Sequence, residues 1–267
     1  MERGPADTYQ AQPLPKTPRC HNDAVPGSAS HSPLTAARRL FYKLDGPWYR
    51  CRLFEAFGSQ RYSRPALFGM DVRIVELMPW KEGSFFEAGA HDGYTQSNTY
   101  FLERFRGWSG ILVEPVPALR AKCERRRRRS EVIGCALVGE ETFRKSGGCV
   151  EIEVNDLMSK LVDGREHDGA RCGSVPGARR IEVPARTLTA VLEEARAGQL
   201  DLMVLDLEGR ELEVLSGLDF DRFAPRYLLI EALDREAQQP AIDAALAPRY
   251  EPLAPLSNYD LLYRLRG

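Results

Sequence analysis

Net charge is almost absent from this sequence: 37 Lys and Arg stand against 38 Asp and Glu, so no global field directs it toward nucleic acid or an anionic membrane. No stretch approaches the ~20 consecutive apolar residues of a membrane span. Six cysteines, at positions 20, 51, 123, 135, 149 and 172, form no C-x-x-C and have no histidine at metal-ligand spacing beside them, so no metal site is expected. The N-terminus has no apolar signal core, and reduced thiols in a cytoplasmic protein are the expectation. Lysine is scarce as well, with six among the 37 basic residues.

What is present is ordinary globular composition, 43% hydrophobic and 28% charged over 267 residues. Residues 1–33 hold six of the 18 prolines and no apolar periodicity, which predicts a disordered tail. Residues 34–80 read as a cap of short helices: Leu40, Phe41 and Leu44 are at helical spacing, Trp48 to Phe57 follow the Asp45-Gly46-Pro47 break, and Ala66 to Met78 form a second run. Residues 81–267 read as one α/β domain. Short apolar runs at Phe85-Phe86, Ile111–Val113, Val132–Leu137, Leu202–Leu205 and Tyr227–Ile230 suit parallel strands buried on both faces, with helical segments between them. Tyr250–Leu256 and Asp260–Leu265, parted by Ser257-Asn258-Tyr259, predict a closing antiparallel hairpin. Between Gly139 and Pro184 the pattern fades; Thr142–Arg144 and Val150–Val154 can pair as a small hairpin, and Asp163 to Gly177 reads as a polar insertion.

The chemistry concentrates at strand ends. Glu87-Ala88-Gly89-Ala90-His91-Asp92-Gly93 follows the first strand, and its glycines let the backbone turn sharply against a ligand. A dinucleotide site needs G-x-G-x-x-G; here a carboxylate replaces the first glycine and would repel a pyrophosphate. That carboxylate can instead accept a hydrogen bond from a cationic amine. Val113-Glu114-Pro115 ends the second strand, where an acid in an open α/β sheet commonly binds the ribose hydroxyls of a nucleoside. A nucleoside with a positively charged tail fits both acids, and S-adenosylmethionine is such a molecule.

Three segments, Gly89-Ala90-His91-Asp92-Gly93-Tyr94-Thr95-Gln96-Ser97-Asn98-Thr99-Tyr100, Gly107-Trp108-Ser109-Gly110-Ile111-Leu112-Val113-Glu114-Pro115, and Leu205-Asp206-Leu207-Glu208-Gly209-Arg210-Glu211-Leu212-Glu213-Val214-Leu215, resemble the FkbM family of S-adenosylmethionine-dependent methyltransferases in order and spacing. The resemblance runs from about Tyr62 to the C-terminus. It implies a class I methyltransferase (Rossmann-like) doubly wound sheet, mostly parallel, ending in the antiparallel hairpin. It also implies roles: Glu87, Gly89 and Gly93 shaping the pocket for the methionine end, with Ala90 and His91 in the same loop; Ser97 and Asn98 near the cofactor carboxylate; Glu114, followed by Pro115, on the ribose; Cys135 and Ala136 bordering adenine; Asp206 beside the sulfonium and the acceptor. Many family members carry a small polar residue where this chain has His91.

Methyl transfer to a hydroxyl needs in-line positioning and benefits from a base. Asp206 is the first candidate and Glu231 the second; Glu208, His91 and His167 are weaker, His167 reading as a solvated loop residue. A Mg²⁺ between Asp206 and Glu231 is chemically allowed, but nothing in the sequence demands one. The acceptor expected is a small molecule, a sugar or natural product. Arg125–Arg129 resembles a nucleic-acid patch but reads better as a helix C-terminus favoured by its dipole, so no nucleic-acid partner is expected. Trp80 and Trp108 read as packing residues. Two other functions compete: an NAD-type oxidoreductase, opposed by the missing glycine and the terminal hairpin, and a binding protein that kept the fold without catalysis, opposed by the intact strand-end acids.

Overall fold

The computed structural model describes residues 45–154, 160–161 (backbone only) and 179–267. The expected tail, the Leu40 to Leu44 run, the 163–177 insertion and His167 lie outside the described residues. By compactness the chain divides into 1–47 and 48–267. Of the first unit only Asp45, Gly46 and Pro47 are described; every described strand belongs to the second.

In chain order the elements are α1 (Gly46–Ala56), α2 (Met70–Leu77), β1 (Ser84–Ala88), α3 (Tyr100–Arg106), β2 (Ser109–Val113), α4 (Pro117–Arg126), β3 (Glu131–Ile133), β4 (Ala136–Leu137), α5 (Glu140–Ser146), β5 (Cys149–Val154), β6 (Lys160–Leu161), β7 (Arg179–Arg186), α6 (Leu188–Glu194), β8 (Leu202–Leu205), α7 (Glu211–Leu215), β9 (Tyr227–Glu231), α8 (Arg235–Leu246), β10 (Tyr250–Pro252) and β11 (Asp260–Leu265). Seven strands form one sheet in the order β10-β11-β9-β8-β1-β2-β3. All neighbours pair in parallel except β11, which runs antiparallel to both β9 and β10. The predicted hairpin therefore exists, with its second strand inserted between the first and the rest of the sheet.

Strand residues alternate between two cores, the period of two expected when both faces are covered. Phe86, Ala88, Val113, Met203, Leu205, Leu228 and Ile230 pack on one side with residues of α6, α7 and α8. Phe85, Leu112, Leu202, Val204 and Leu229 pack on the other with Met70 and Ile74 of α2, Leu102 of α3 and Cys123 of α4. Trp108 is fully buried and stacks on Trp80 with ring centroids 6.0 Å apart, so both tryptophans are packing residues as read. Among the described cysteines, Cys51, Cys123, Cys135 and Cys149 are free thiols. No helix among the described residues is long and apolar enough to cross a membrane.

Two local expectations need correction. The apolar run 132–137 is not one strand: the chain leaves the main sheet after Ile133 and enters a second sheet of order β4-β7-β5-β6 at Ala136. Thr142–Arg144 does not pair with Val150–Val154 either; it is inside α5, whose acids Glu140 and Glu141 occupy the first turn and whose Arg144 and Lys145 occupy the last, both favoured by the helix dipole. Gly147, at φ +63°, ends that helix, and β5 pairs with β7 instead. α8 was not foreseen because Pro240 interrupts its pattern; Asp234 nonetheless caps it, accepting from the Ala237 N–H at 3.1 Å.

Candidate active site

The strand order reverses between β1 and β8, and ligands of open α/β sheets bind outside the carboxyl ends at such a point. Register makes the edge explicit: Ala88 pairs with both Val113 and Leu205, and Leu205 with Ile230. The next residues are Gly89, Glu114, Asp206 and Glu231. Four candidate positions from four strands are thus lined up by the sheet itself.

Gly89 has φ +79°, and a Cβ there would lie 2.2 Å from the Asp206 carbonyl oxygen, so only glycine lets these strand ends touch. Gly93, also at φ +79°, has Arg127 Cγ 2.8 Å and Cys123 Sγ 2.9 Å from where a Cβ would be. Between them Asp92 folds the loop. Its Oδ1 accepts from the Tyr94 and Thr95 N–H groups at 3.0 and 2.7 Å, and its Oδ2 meets Thr95 Oγ1 at 2.9 Å and the Arg126 guanidinium at 2.6 Å. Burial alone would raise this carboxyl, but the neighbouring His91 imidazole and the charge of Arg126 win and hold it well below the carboxylate range. Ala90 is buried and packs in one cluster with Phe85 and Leu112.

Glu114 is buried, its Oε2 accepting from the His91 N–H at 2.9 Å and its Oε1 from the Val116 N–H at 2.8 Å. Each oxygen keeps acceptor capacity, the arrangement two neighbouring hydroxyls require. Desolvation pushes its pKa up to about 7 despite those bonds. Pro115 follows, half-buried. Cys135 and Ala136 are buried; Ala136 packs in one apolar cluster with Val116, which brings it beside the Glu114 strand end. Burial raises the Cys135 thiol to about 12, so it is a neutral wall.

Glu87 does not present a free carboxylate for an amine. It accepts from the Asn98 N–H at 2.8 Å, Ser97 Oγ at 3.0 Å and Thr99 Oγ1 at 2.5 Å, and Arg127 Nη1 is 3.6 Å away. Its lone pairs are spent on the 97–99 turn. Ser97 is committed likewise, since its Oγ also receives Arg127 Nη1 at 3.0 Å. Asn98 is the exception: its Oδ1 is buried with no hydrogen-bond partner, an acceptor suited to an ammonium group.

Asp206 and Glu231 are mutually interacting carboxyls at adjacent strand ends. Desolvation raises Asp206 to about 6, with the Glu231 hydrogen bond opposing and the charges of Asp260 and Glu87 adding. Glu231 is driven higher still, by desolvation first and then by the charges of Asp206 and Glu208, so the two adjacent carboxyls hold one proton between them at neutral pH. Glu231 Oε2 is buried without a partner. Three acidic neighbours escaped the sequence reading. Asp260 is the register partner of Glu231 and is visible only once β11 is inserted beside β9. Glu211 ties the 207–209 turn through the Leu207 and Gly209 N–H groups at 2.8 and 3.2 Å. Asp92, between the two glycines, had a signal, since Asp commonly closes such turns. Among the described residues no three His, Cys, Asp or Glu side chains converge as metal ligands.

Acids at neighbouring strand ends, an orphan acceptor at Asn98 and a carboxylate set for a diol together fit S-adenosylmethionine, and the sheet order with its inserted antiparallel strand defines a class I methyltransferase fold. A family model for the methyltransferase FkbM domain matches residues 87–251, and the chain belongs to that family. Its cofactor is S-adenosylmethionine. Comparison with curated proteins gives no match. Among solved structures, similarity extends to a TehB-like SAM-dependent methyltransferase from Corynebacterium glutamicum, at 13% identity over 83% of this chain and 97% of that one with TM-score 0.39. An SAH-bound methyltransferase from Podospora anserina is similar at 12% identity over 91% and 100% of the two chains, TM-score 0.40. Fibrillarin from Aeropyrum pernix, with bound S-adenosyl-L-methionine, is similar at 12% identity over 76% of each chain, TM-score 0.40.

Proposed function

We propose that the chain methylates a hydroxyl oxygen of a small molecule, a sugar or natural product, with Asp206 as general base. The observation that carries this reading is the pair of carboxyls, Asp206 and Glu231, set at adjacent strand ends beside Gly89. S-adenosylmethionine, when bound, supplies a methyl group already activated on a sulfonium. The residues expected to hold it are Glu114 at the ribose, Asn98 at the amine, and Ala136 with Cys135 beside the base, while Gly89 and Gly93 give the loop its shape.

A hydroxyl loses its proton as its oxygen becomes the nucleophile, and a base titrating near 6 is ionised at neutral pH yet still basic enough to take that proton. A protonated Glu231 favours the ionised form of Asp206 by offering it a hydrogen bond while keeping its own proton. Amine acceptors gain less from such a base, which is why the pair favours oxygen. The test is transfer of an isotopically labelled methyl group to a panel of sugars and hydroxylated natural products, with calorimetric titration of S-adenosylmethionine and, separately, NAD. Label on oxygen, a rate that rises through about pH 6, and an Asp206→Asn variant that binds cofactor but turns over about 100-fold more slowly or worse are expected. Label on nitrogen or carbon, or an unimpaired Asp206→Asn, would refute the oxygen assignment; NAD binding without S-adenosylmethionine binding would refute methyl transfer.

A further inference from the structure

Away from the strand ends, the arginine run turns a corner. Helix α4 stops at Arg126, so Arg128 and Arg129 lie beyond the helix whose dipole would favour them. Arg127 points inward and is fully buried, while Arg125, Arg126, Arg128 and Arg129 line a cavity of about 540 Å³ together with Arg52 of α1 and Arg104 of α3. That volume is typical of small-molecule sites.

The cavity is not neutralised by its own walls. Among the described residues Glu103 is the one acid lining it, and its carboxylate is committed to Arg127 Nε at 2.8 Å, Ser130 Oγ at 2.5 Å and the Arg129 N–H at 3.3 Å. Glu55 holds Arg52 and, at 3.0 Å, Arg104; Asp92 holds Arg126 at 2.6 Å. The Arg129 guanidinium donates to the neutral Gly107 carbonyl at 3.0 Å. Arg125 and Arg128 have no carboxylate partner among the described residues. Three uncompensated guanidiniums therefore share one concavity, where low-dielectric walls focus the field.

The aromatic wall narrows the ligand class. Trp48 is engaged by Arg126 at 4.9 Å and Arg52 at 5.6 Å from its ring centroid, and by Tyr94 and Tyr100 in edge contacts. Two guanidiniums and two edge contacts already engage this ring, which favours a charged ligand over a stacked base. We propose that this cavity binds a small phosphorylated ligand, a phosphomonoester or pyrophosphate, through the planar forks of Arg125, Arg128 and Arg129. The site is separate from the methyl-transfer edge and does not rest on the reading of that edge.

Titration calorimetry of the full chain with inorganic pyrophosphate tests it. Saturable binding that weakens with added salt is expected, and an Arg125→Ala/Arg128→Ala double variant, both side chains being exposed, loses affinity about tenfold or more while S-adenosylmethionine affinity and melting temperature stay unchanged. Absence of saturable pyrophosphate binding at millimolar concentration, or equal affinity in the double variant, would overturn the proposal. So would tighter binding of a single-stranded RNA oligonucleotide or of anionic phospholipid vesicles that the same double variant abolishes, because either marks a macromolecular surface rather than a small-ligand pocket.

Discussion

Replacing Arg127 by methionine tests the reasoning most directly, because one buried side chain ties the cofactor loop to the helix layer. Its guanidinium donates to Glu103 Oε2 at 2.8 Å, the Gly93 carbonyl at 3.2 Å, Ser97 Oγ at 3.0 Å and Thr99 Oγ1 at 2.7 Å, with Glu87 3.6 Å away. Methionine fills similar volume, so the change removes charge and donors more than packing. Glu87 and Glu103, both buried, are left without their cation. Breaking such a pair costs about 3–5 kcal/mol, chiefly because the stranded charge stays desolvated. Against a typical stability of about 5–15 kcal/mol this is about a fifth of the total or more. Urea unfolding should show the midpoint falling with an unchanged slope, and melting should drop by roughly 10 °C. In a double-mutant cycle, adding Glu103→Gln should recover at least about 1 kcal/mol, since the amide needs no cation. A loss below about 1 kcal/mol for Arg127→Met, or strict additivity with Glu103→Gln, would show that the buried network is not what holds the loop.

Other outcomes follow from the same geometry. Gly89→Ala should cost more than about 2 kcal/mol in urea unfolding and weaken S-adenosylmethionine binding, because it adds the penalty of a positive φ to a 2.2 Å clash with the Asp206 carbonyl. Glu114→Gln should weaken cofactor affinity by about 10- to 100-fold in calorimetry, since an amide cannot accept from two backbone N–H groups and two hydroxyls at once. Stability of the ligand-free chain should decline as pH rises through about 4 to 7. Glu114 and Glu211, raised from 4.5 to about 7, and Asp206, raised from 3.8 to about 6, hold protons in the folded state that the unfolded chain has already released. Asp92 has the opposite sign: its contribution is present above its unfolded value and is lost in acid, as pH falls through its depressed folded value. Urea midpoints should therefore be lower at about pH 8 than at about pH 5, and a flat or rising profile across that interval would contradict the burial of these acids.

Much of the site was legible because it is local. A glycine at a strand end, an acid one residue beyond the next strand, and apolar runs too short for helices are patterns that a few neighbouring residues carry. The acids Glu114, Asp206 and Glu231 fell where expected because strand ends can be found from where apolar runs stop. Arg127 was illegible for the opposite reason: five identical side chains in a row give no hint which one turns inward. Asp260 was hidden because its partner Glu231 is 29 residues away and meets it only through an inserted antiparallel strand.

By itself, then, the sequence determined an α/β sheet buried on both faces, a glycine loop unable to seat a pyrophosphate, and acids at the carboxyl ends of its strands. Periodicity and backbone sterics dictate these within a few residues. Tertiary structure decided that Glu87 is spent on Arg127 and the 97–99 turn, that Asp206 and Glu231 share a proton, and that arginines from α1, α3 and the end of α4 face one cavity. Each of these is a balance between desolvation and pairing, and the partners are supplied by segments brought together only when the chain packs.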